Sequence, residues 1–193
     1  MIVGVAGKYC SGKTTVTSHL VDRGFIEINL DRLGHAALDE AAEQVADLFG
    51  EIVLNSSGGV DRQKLGSIVF EDARKRLLLE NLLHPRMVEM TRESLTDYTG
   101  GDVVIDGALL FYMGVDRLCD IAFWVTAPPL VRFFRAVKRD KLPVVSLLKR
   151  FRAQKDLTPQ PSSNAVDIYY IRNTGSPSAL KERLDRILPR ERM

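Results

Sequence analysis

Residues 2–24 read IVGVAGKYCSGKTTVTSHLVDRG, and the architecture is decided in this stretch. Ile2 to Ala6 is a short apolar run with β-branched side chains that ends at Gly7, the pattern of a buried parallel strand. Gly12 to Arg23 carries helical spacing, with Val16, Leu20 and Val21 predicted on one face and Gly24 where a helix would stop. Between the two, Gly7-Lys8-Tyr9-Cys10-Ser11-Gly12-Lys13-Thr14 fits G-x-x-x-x-G-K-[ST]. A loop of this kind aims successive backbone N–H groups inward at phosphate oxygens, and the helix that follows turns its positive end the same way. Lys13 is placed to neutralise β- and γ-phosphates, and the Thr14 hydroxyl to coordinate Mg²⁺. The motif implies a nucleotide but no particular reaction, because GTPases, ATPases and kinases share it.

Outward from that loop, strands and helices alternate. Phe25 to Leu30, Asp102 to Asp106, Cys119 to Val125 and Asp167 to Ile171 read as further strands. Helical patterns occupy 39–49, 61–70, 71–83, 87–98, 130–140, 144–154 and 177–188, with His84-Pro85 predicted to break the chain between the third and fourth. Ser56 to Gly59, Gly100-Gly101 and Asn173 to Ser176 are turns, and 157–165 is a polar loop with two prolines. The expectation is an α/β domain with a parallel five-stranded sheet between helical layers. The core comprises 1–38, 99–131 and 166–193, with a helical insert at 39–98 and a basic helical region at 132–165.

Composition bounds the function. With 193 residues, 45% hydrophobic and 27% charged, the chain is an ordinary globular domain, and a formal charge of +2 gives no reason to invoke nucleic acid or a membrane. No apolar run reaches the roughly 20 residues a membrane helix needs, and the N-terminus lacks a secretory pattern. Cys10 and Cys119 make neither a metal spacing nor a disulfide framework, so a cytoplasmic location is expected. The charge is uneven, however. Nine Lys or Arg and one acid, Asp140, fall between Arg132 and Lys155, which points to a local anion site.

Two acids stand where a phosphoryl acceptor would. Asp31 follows the second strand, where it could take the proton of an attacking hydroxyl or hold Mg²⁺ through water; capping the next helix is the alternative. Asp106 ends the third strand with a similar address. Arg135 and Arg139 lie four apart on one helical face, with Arg150 and Arg152 on the next helix. Guanidinium groups match the charge that spreads over a moving phosphoryl group, and a mobile lid carrying them would exclude water; a solvated basic face is the plainer reading.

The segments GKYCSGKT, INLDRLGH, FGEIVLNSSGGVDRQKLGSIVF, LLLENLLHPRM, ALLFYMGVDRLCD, RAVKRD, RAQ and DIYYIRNTGS together resemble the dephospho-CoA kinase family, in family order and from about Ile2 to Leu184. His84-Pro85, the G-x-[IV]-D-R stretch ending at Arg62, and Arg139-Asp140 are the particular features. The resemblance implies a P-loop core, a helical dephospho-CoA-binding part and a lid. It implies ATP and Mg²⁺, with ATP phosphates held by Cys10, Ser11, Gly12, Lys13, Thr14 and Thr15, and the adenine near Asn173 and Gly175. Lys13, Asp31 and Arg139 would be catalytic, and Asp31, His35, Arg62, His84 and Arg135 would meet the acceptor. The chain departs from the family at Asn29, Ala108 and Tyr112, where an aspartate, a proline and an acid are usual, and at His35, where arginine is frequent. Two other readings remain: a P-loop kinase for a nucleotide, nucleoside or small alcohol, and a nucleotide-gated binding protein, although no N-K-x-D guanine-reading stretch is present.

Overall fold

The computed structural model describes residues 1–98, 100–160 and 166–188; part of the polar loop predicted at 157–165 therefore lies outside the described residues. These fall into two compact units, Met1–Ile28 with Tyr98–Met193, and Asn29–Asp97.

The first unit is built on a parallel sheet in the order β2-β3-β1-β4-β5, formed by β1 (Ile2–Gly7), β2 (Ile26–Asn29), β3 (Val103–Asp106), β4 (Ile121–Thr126) and β5 (Asp167–Arg172). β1 pairs with β3 through Val5↔Asp106 and with β4 through Gly7↔Val125, so three strands end together beside the loop that follows Gly7. The helices of this unit are α1 (Lys13–Asp22), α6 (Pro129–Asp140), α7 (Val144–Ala153) and α8 (Pro177–Ile187). Val3, Val5, Val104, Phe123 and Ile171 from the strands close on Val16 and Leu20 of α1 and on Leu180 and Leu184 of α8. Burying a side chain such as Leu20 contributes about 1.5–3 kcal/mol, which is what fixes α1, and the loop before it, against the sheet. Val21 does not share that face as its spacing predicted; it is exposed, and Thr17 and His19 are turned inward instead. His19 Nε2 meets Asp185 of α8 at 2.8 Å, and Arg23 joins the same carboxylate at 2.9 Å. Trp124 is buried in β4 with its ring edge-on to Phe111.

The second unit is helical: α2 (Leu30–Glu40), α3 (Ala42–Phe49), α4 (Arg62–Glu71) and α5 (Ala73–Asp97), with a 3₁₀ turn at Glu51–Val53. α2 lies in a stretch from which no helix was predicted. Its start is Asn29, whose side chain accepts from the Arg32 N–H at 3.1 Å; the residue that stands where the resemblance leads one to expect an aspartate is a helix cap. α2 packs on α5 at Gly34, where a Cβ would stand 3.2 Å from Cε of Met87. The break predicted at His84-Pro85 does not occur. α5 runs through Pro85 for 25 residues, because Leu79, Leu82 and Leu83 before the proline pack into the unit's core around Val45, Val53 and Leu65 and Met87 beyond it is buried against Gly34 of α2. Asp61 caps α4 through Gln63 N–H and Lys64 N–H, each at 3.1 Å, and the Lys64 amide foremost holds its carboxyl below the usual range. Among the described residues no helix is long and apolar enough to cross a membrane.

Candidate active site

The loop between β1 and α1 takes its shape from backbone angles that disfavour side chains. Gly12 has φ 99°, and Cys10, with a side chain, is left-handed at 58°. A Cβ on Gly12 would fall 1.9 Å from Nδ2 of Asn173, and one on Gly7 would fall 2.4 Å from the Val125 carbonyl oxygen, so space as well as torsion demands glycine. The Ser11 N–H donates back to Lys8 O at 3.0 Å, which closes the turn. α1 starts at Lys13 with no side-chain cap, leaving its first amides directed at the loop, where they can hold an anion. Lys13 is half-buried, while Thr14 and Thr15 are exposed at the mouth. A cavity of about 530 Å³ opens there, lined by Cys10 to Thr15 and by Arg135, Lys138 and Arg139 of α6.

Two residues distant in sequence hold the loop in register. Asn173, just past β5 and buried, donates through Nδ2 to Ser11 O at 3.0 Å. Arg135 donates to the same carbonyl at 3.2 Å and to Asn173 O at 3.0 Å. With the Ser11 carbonyl drawn outward by two donors, neighbouring amides are free to face the cavity. The resemblance placed Asn173 near adenine and Arg135 near the acceptor; here both side chains are engaged with the loop's own backbone. Gly175 lies in the turn that follows, where a Cβ would rest 3.7 Å from Ala179 Cβ.

Arg139 lines the loop cavity but is not loose in it. Its Nε donates to Asp140 Oδ1 at 2.6 Å, and its guanidinium lies 5.1 Å over the Tyr9 ring. Arg150 reaches Asp140 Oδ2 at 3.3 Å from α7. Tyr9 donates its hydroxyl to that same carboxylate oxygen. None of Tyr9, Arg132 and Gln154 was singled out in the sequence, although Asp140, as the lone acid among nine basic residues, marked the place. A second cavity of about 650 Å³ adjoins, lined among others by Lys8, Ser11, Thr126, Arg132 and Tyr170. Lys8 Nζ there donates to the Lys155 carbonyl at 2.6 Å. Asp106 is buried at the end of β3.

The remaining expected residues belong to the second unit. Asp31, His35 and Asp39 are exposed and recur every four residues on α2, one above another. Arg62, at the start of α4, grips Asp39 through NH2 at 2.8 and 3.1 Å, so it stands beside that face. Arg86, which the sequence did not mark, ties α5 to Glu40 of α2 and also meets Glu93 two turns along its own helix, at 2.8 Å each. His84 is half-buried within α5, and burial lowers its pKa against an opposing pull from Glu80.

A sequence model of the dephospho-CoA kinase family matches residues 1–176. Among curated proteins, the dephospho-CoA kinase of Moorella thermoacetica is 37% identical over 164 residues, covering 81% of this chain and 77% of that one. That of Bacillus licheniformis is 31% identical over 195 residues, covering 97% and 95%. Among solved structures, the crystal structure of TT1252 from Thermus thermophilus superposes with a TM-score of 0.79 at 29% identity, covering 97% of this chain and 95% of that one.

Proposed function

The chain belongs to the dephospho-CoA kinase family, and from that premise we propose that it transfers the γ-phosphoryl group of ATP to the ribose 3′-hydroxyl of dephospho-CoA, giving CoA and ADP as the last step of CoA biosynthesis. The observation that carries the proposal is the cavity over residues 10–15, walled by a helix N-terminus on one side and by Arg135, Lys138 and Arg139 on the other. A tight turn of inward amides, a lysine and a set of guanidinium groups is what a triphosphate in phosphoryl transfer requires.

The roles divide between the two units. Residues Cys10 to Thr15 hold the polyphosphate, and Lys13 neutralises its β and γ groups. Arg135 and Asn173 keep the loop in its binding shape, and Asn173 and Gly175 bound the adenine region. Arg139 bears charge that develops on the moving group. The helical unit is the acceptor-binding part, with His35, Arg62 and His84 near the acceptor, and 132–165 is the lid. Asp31 accepts the hydroxyl proton as the acceptor oxygen attacks in line. For Mg²⁺ the donor set fits an ion that arrives with the nucleotide. Thr14 offers an exposed hydroxyl next to Lys13 that would hold such an ion. Held by Thr14, with Asp31 acting through water, the ion would neutralise charge on the β and γ oxygens. The buried free thiols of Cys10 and Cys119 suit a reducing compartment, and we place the enzyme in the cytoplasm on that ground.

A coupled ADP-release assay with dephospho-CoA and a panel of nucleoside monophosphates tests the reading. Turnover that requires dephospho-CoA supports it. Preference for a nucleoside monophosphate would replace the acceptor, and ATP binding without any acceptor turnover would remove the enzyme.

A further inference from the structure

Tyr9 occupies one of the four variable positions of the phosphate-loop motif, and all of its polar groups are engaged by α6, α7 or the residues that follow α7. Its N–H donates to the side-chain carbonyl of Gln154. Its carbonyl accepts from Arg132 at 3.3 Å. Its hydroxyl donates to Asp140 Oδ2 and accepts from Arg150 NH1 at 3.4 Å. The ring is covered as well. Arg139 and Arg150 place their guanidinium carbons 5.1 and 5.6 Å from its centroid, and Phe151 meets it edge-on at 5.6 Å. Beneath it, Cys10 packs with Ala136 and Leu147, so the ring rests on a small apolar floor shared by loop and lid helices.

Arg139 itself is exposed on 57% of its side chain and its carboxylate partner is the adjacent residue in the chain. A pair of neighbours on an exposed surface fixes little by itself, because both side chains can swing together and solvent screens them. What restrains this pair is the far side of the carboxylate. Asp140 is only 15% exposed, and its second oxygen, which Arg139 NH2 also reaches at 3.2 Å, is held from the other side by the Tyr9 hydroxyl and by Arg150. The phosphate loop therefore reaches Arg139 by two routes from one side chain, the Tyr9 hydroxyl through the Asp140 carboxylate and the Tyr9 ring directly.

We propose that Tyr9 is a positioning residue for phosphoryl transfer: through Asp140 it holds the Arg139 guanidinium over the loop cavity, and so couples the lid to the phosphate loop. This rests on the assignment of Arg139 given above. A hydrogen bond to a charged group strengthens when the site excludes water, so the coupling matters most once nucleotide is bound. The ring also serves the arginine directly, since a guanidinium over a phenol face is attracted by its quadrupole. Removing the hydroxyl alone leaves the ring, the loop backbone and the Arg135 and Asn173 braces untouched.

The test uses the full chain with Tyr9→Phe, Arg139→Ala and the two combined, measured for kcat and for the ATP KM with dephospho-CoA. Tyr9→Phe is expected to lower kcat about tenfold, the scale of one hydrogen bond to a charged group, with the ATP KM within about twofold. The combined variant is expected to be no slower than Arg139→Ala alone, because the two act as one unit. An unchanged kcat in Tyr9→Phe, or losses that multiply in the combined variant, would overturn the proposal. Backbone hydrogen exchange over 139–154, compared between wild type and Tyr9→Phe with MgATP present, supplies a readout independent of the acceptor. Faster exchange in the variant is expected, and equal exchange would overturn the coupling even if wild type failed to use dephospho-CoA. Wild-type failure alone would instead refute the substrate assignment.

Discussion

Replacing Gly12 by alanine sets a methyl group 1.9 Å from Nδ2 of Asn173 in a backbone held at φ 99°. Two costs follow, and they have different sources. A side chain in that region of torsion space costs about 1–3 kcal/mol wherever it occurs. The displaced amide also loses its bond to Ser11 O, 3.0 Å long in the native loop, and a buried donor left without a partner costs about 1–3 kcal/mol more. Together they predict a loss of about 4 kcal/mol, and with a urea dependence of about 3 kcal/mol per molar the unfolding midpoint falls by about 1 M or more. Titration calorimetry should show MgATP uptake weakened at least about tenfold, because the amides that hold phosphate are set by the same turn. Asn173→Ala in the Gly12→Ala background separates the two costs. With the clashing amide gone, the combined variant should be no less stable than Gly12→Ala alone. A midpoint within about 0.3 M of wild type with unaltered nucleotide affinity, or a combined loss equal to the sum of the single losses, would refute the reasoning.

Three further outcomes are expected. Asp31→Asn should keep its ATP affinity and lose roughly two to four decades of kcat, the span of a positioned acid–base group; a near-normal rate in steady-state kinetics would remove its role. Arg135→Ala should weaken MgATP binding and lower the unfolding midpoint together, since it removes one of the two side-chain donors to the Ser11 carbonyl and the guanidinium donor to the Asn173 carbonyl; a loss of kcat with binding intact would make it a charge-bearing residue instead. His84 has a folded pKa held below its unfolded value of about 6.5 by burial, so the unfolded chain takes up the proton first as pH falls. The stability that neutral His84 contributes is thus complete above that value and declines below it. The gap in unfolding free energy between wild type and His84→Gln should shrink from pH 7.5 to pH 5.5, and a constant gap would contradict the shift.

What the sequence disclosed and what it hid have physical causes. The first strand, the phosphate loop and α1 were legible because local torsion and local burial determine them: glycines at fixed offsets, a β-branched run, then a 3.6-residue period. α2 was missed because its start is signalled by Asn29 alone and Gly34 interrupts the run, while the gain that stabilises it lies in packing on Met87, far along the chain. At Pro85 the local signal was read correctly and outweighed. A proline inside a helix costs about 3 kcal/mol, yet the leucines before it hold α5 continuous by burial against α4 and its neighbours. The brace made by Arg135 joins positions 124 and 38 residues apart, and no periodicity carries that information. Arg139 was found as a charge on a basic helix, whereas the Tyr9–Asp140 linkage that restrains it depends on tertiary approach.

The most direct measurement is the chemistry of the product. Incubation of the purified chain with MgATP and dephospho-CoA, followed by phosphorus NMR with proton correlation, should show one new phosphomonoester coupled to the ribose H3′ and an equal amount of ADP. A phosphoryl group on another hydroxyl, or ADP formed with inorganic phosphate and no new ester, would contradict the account.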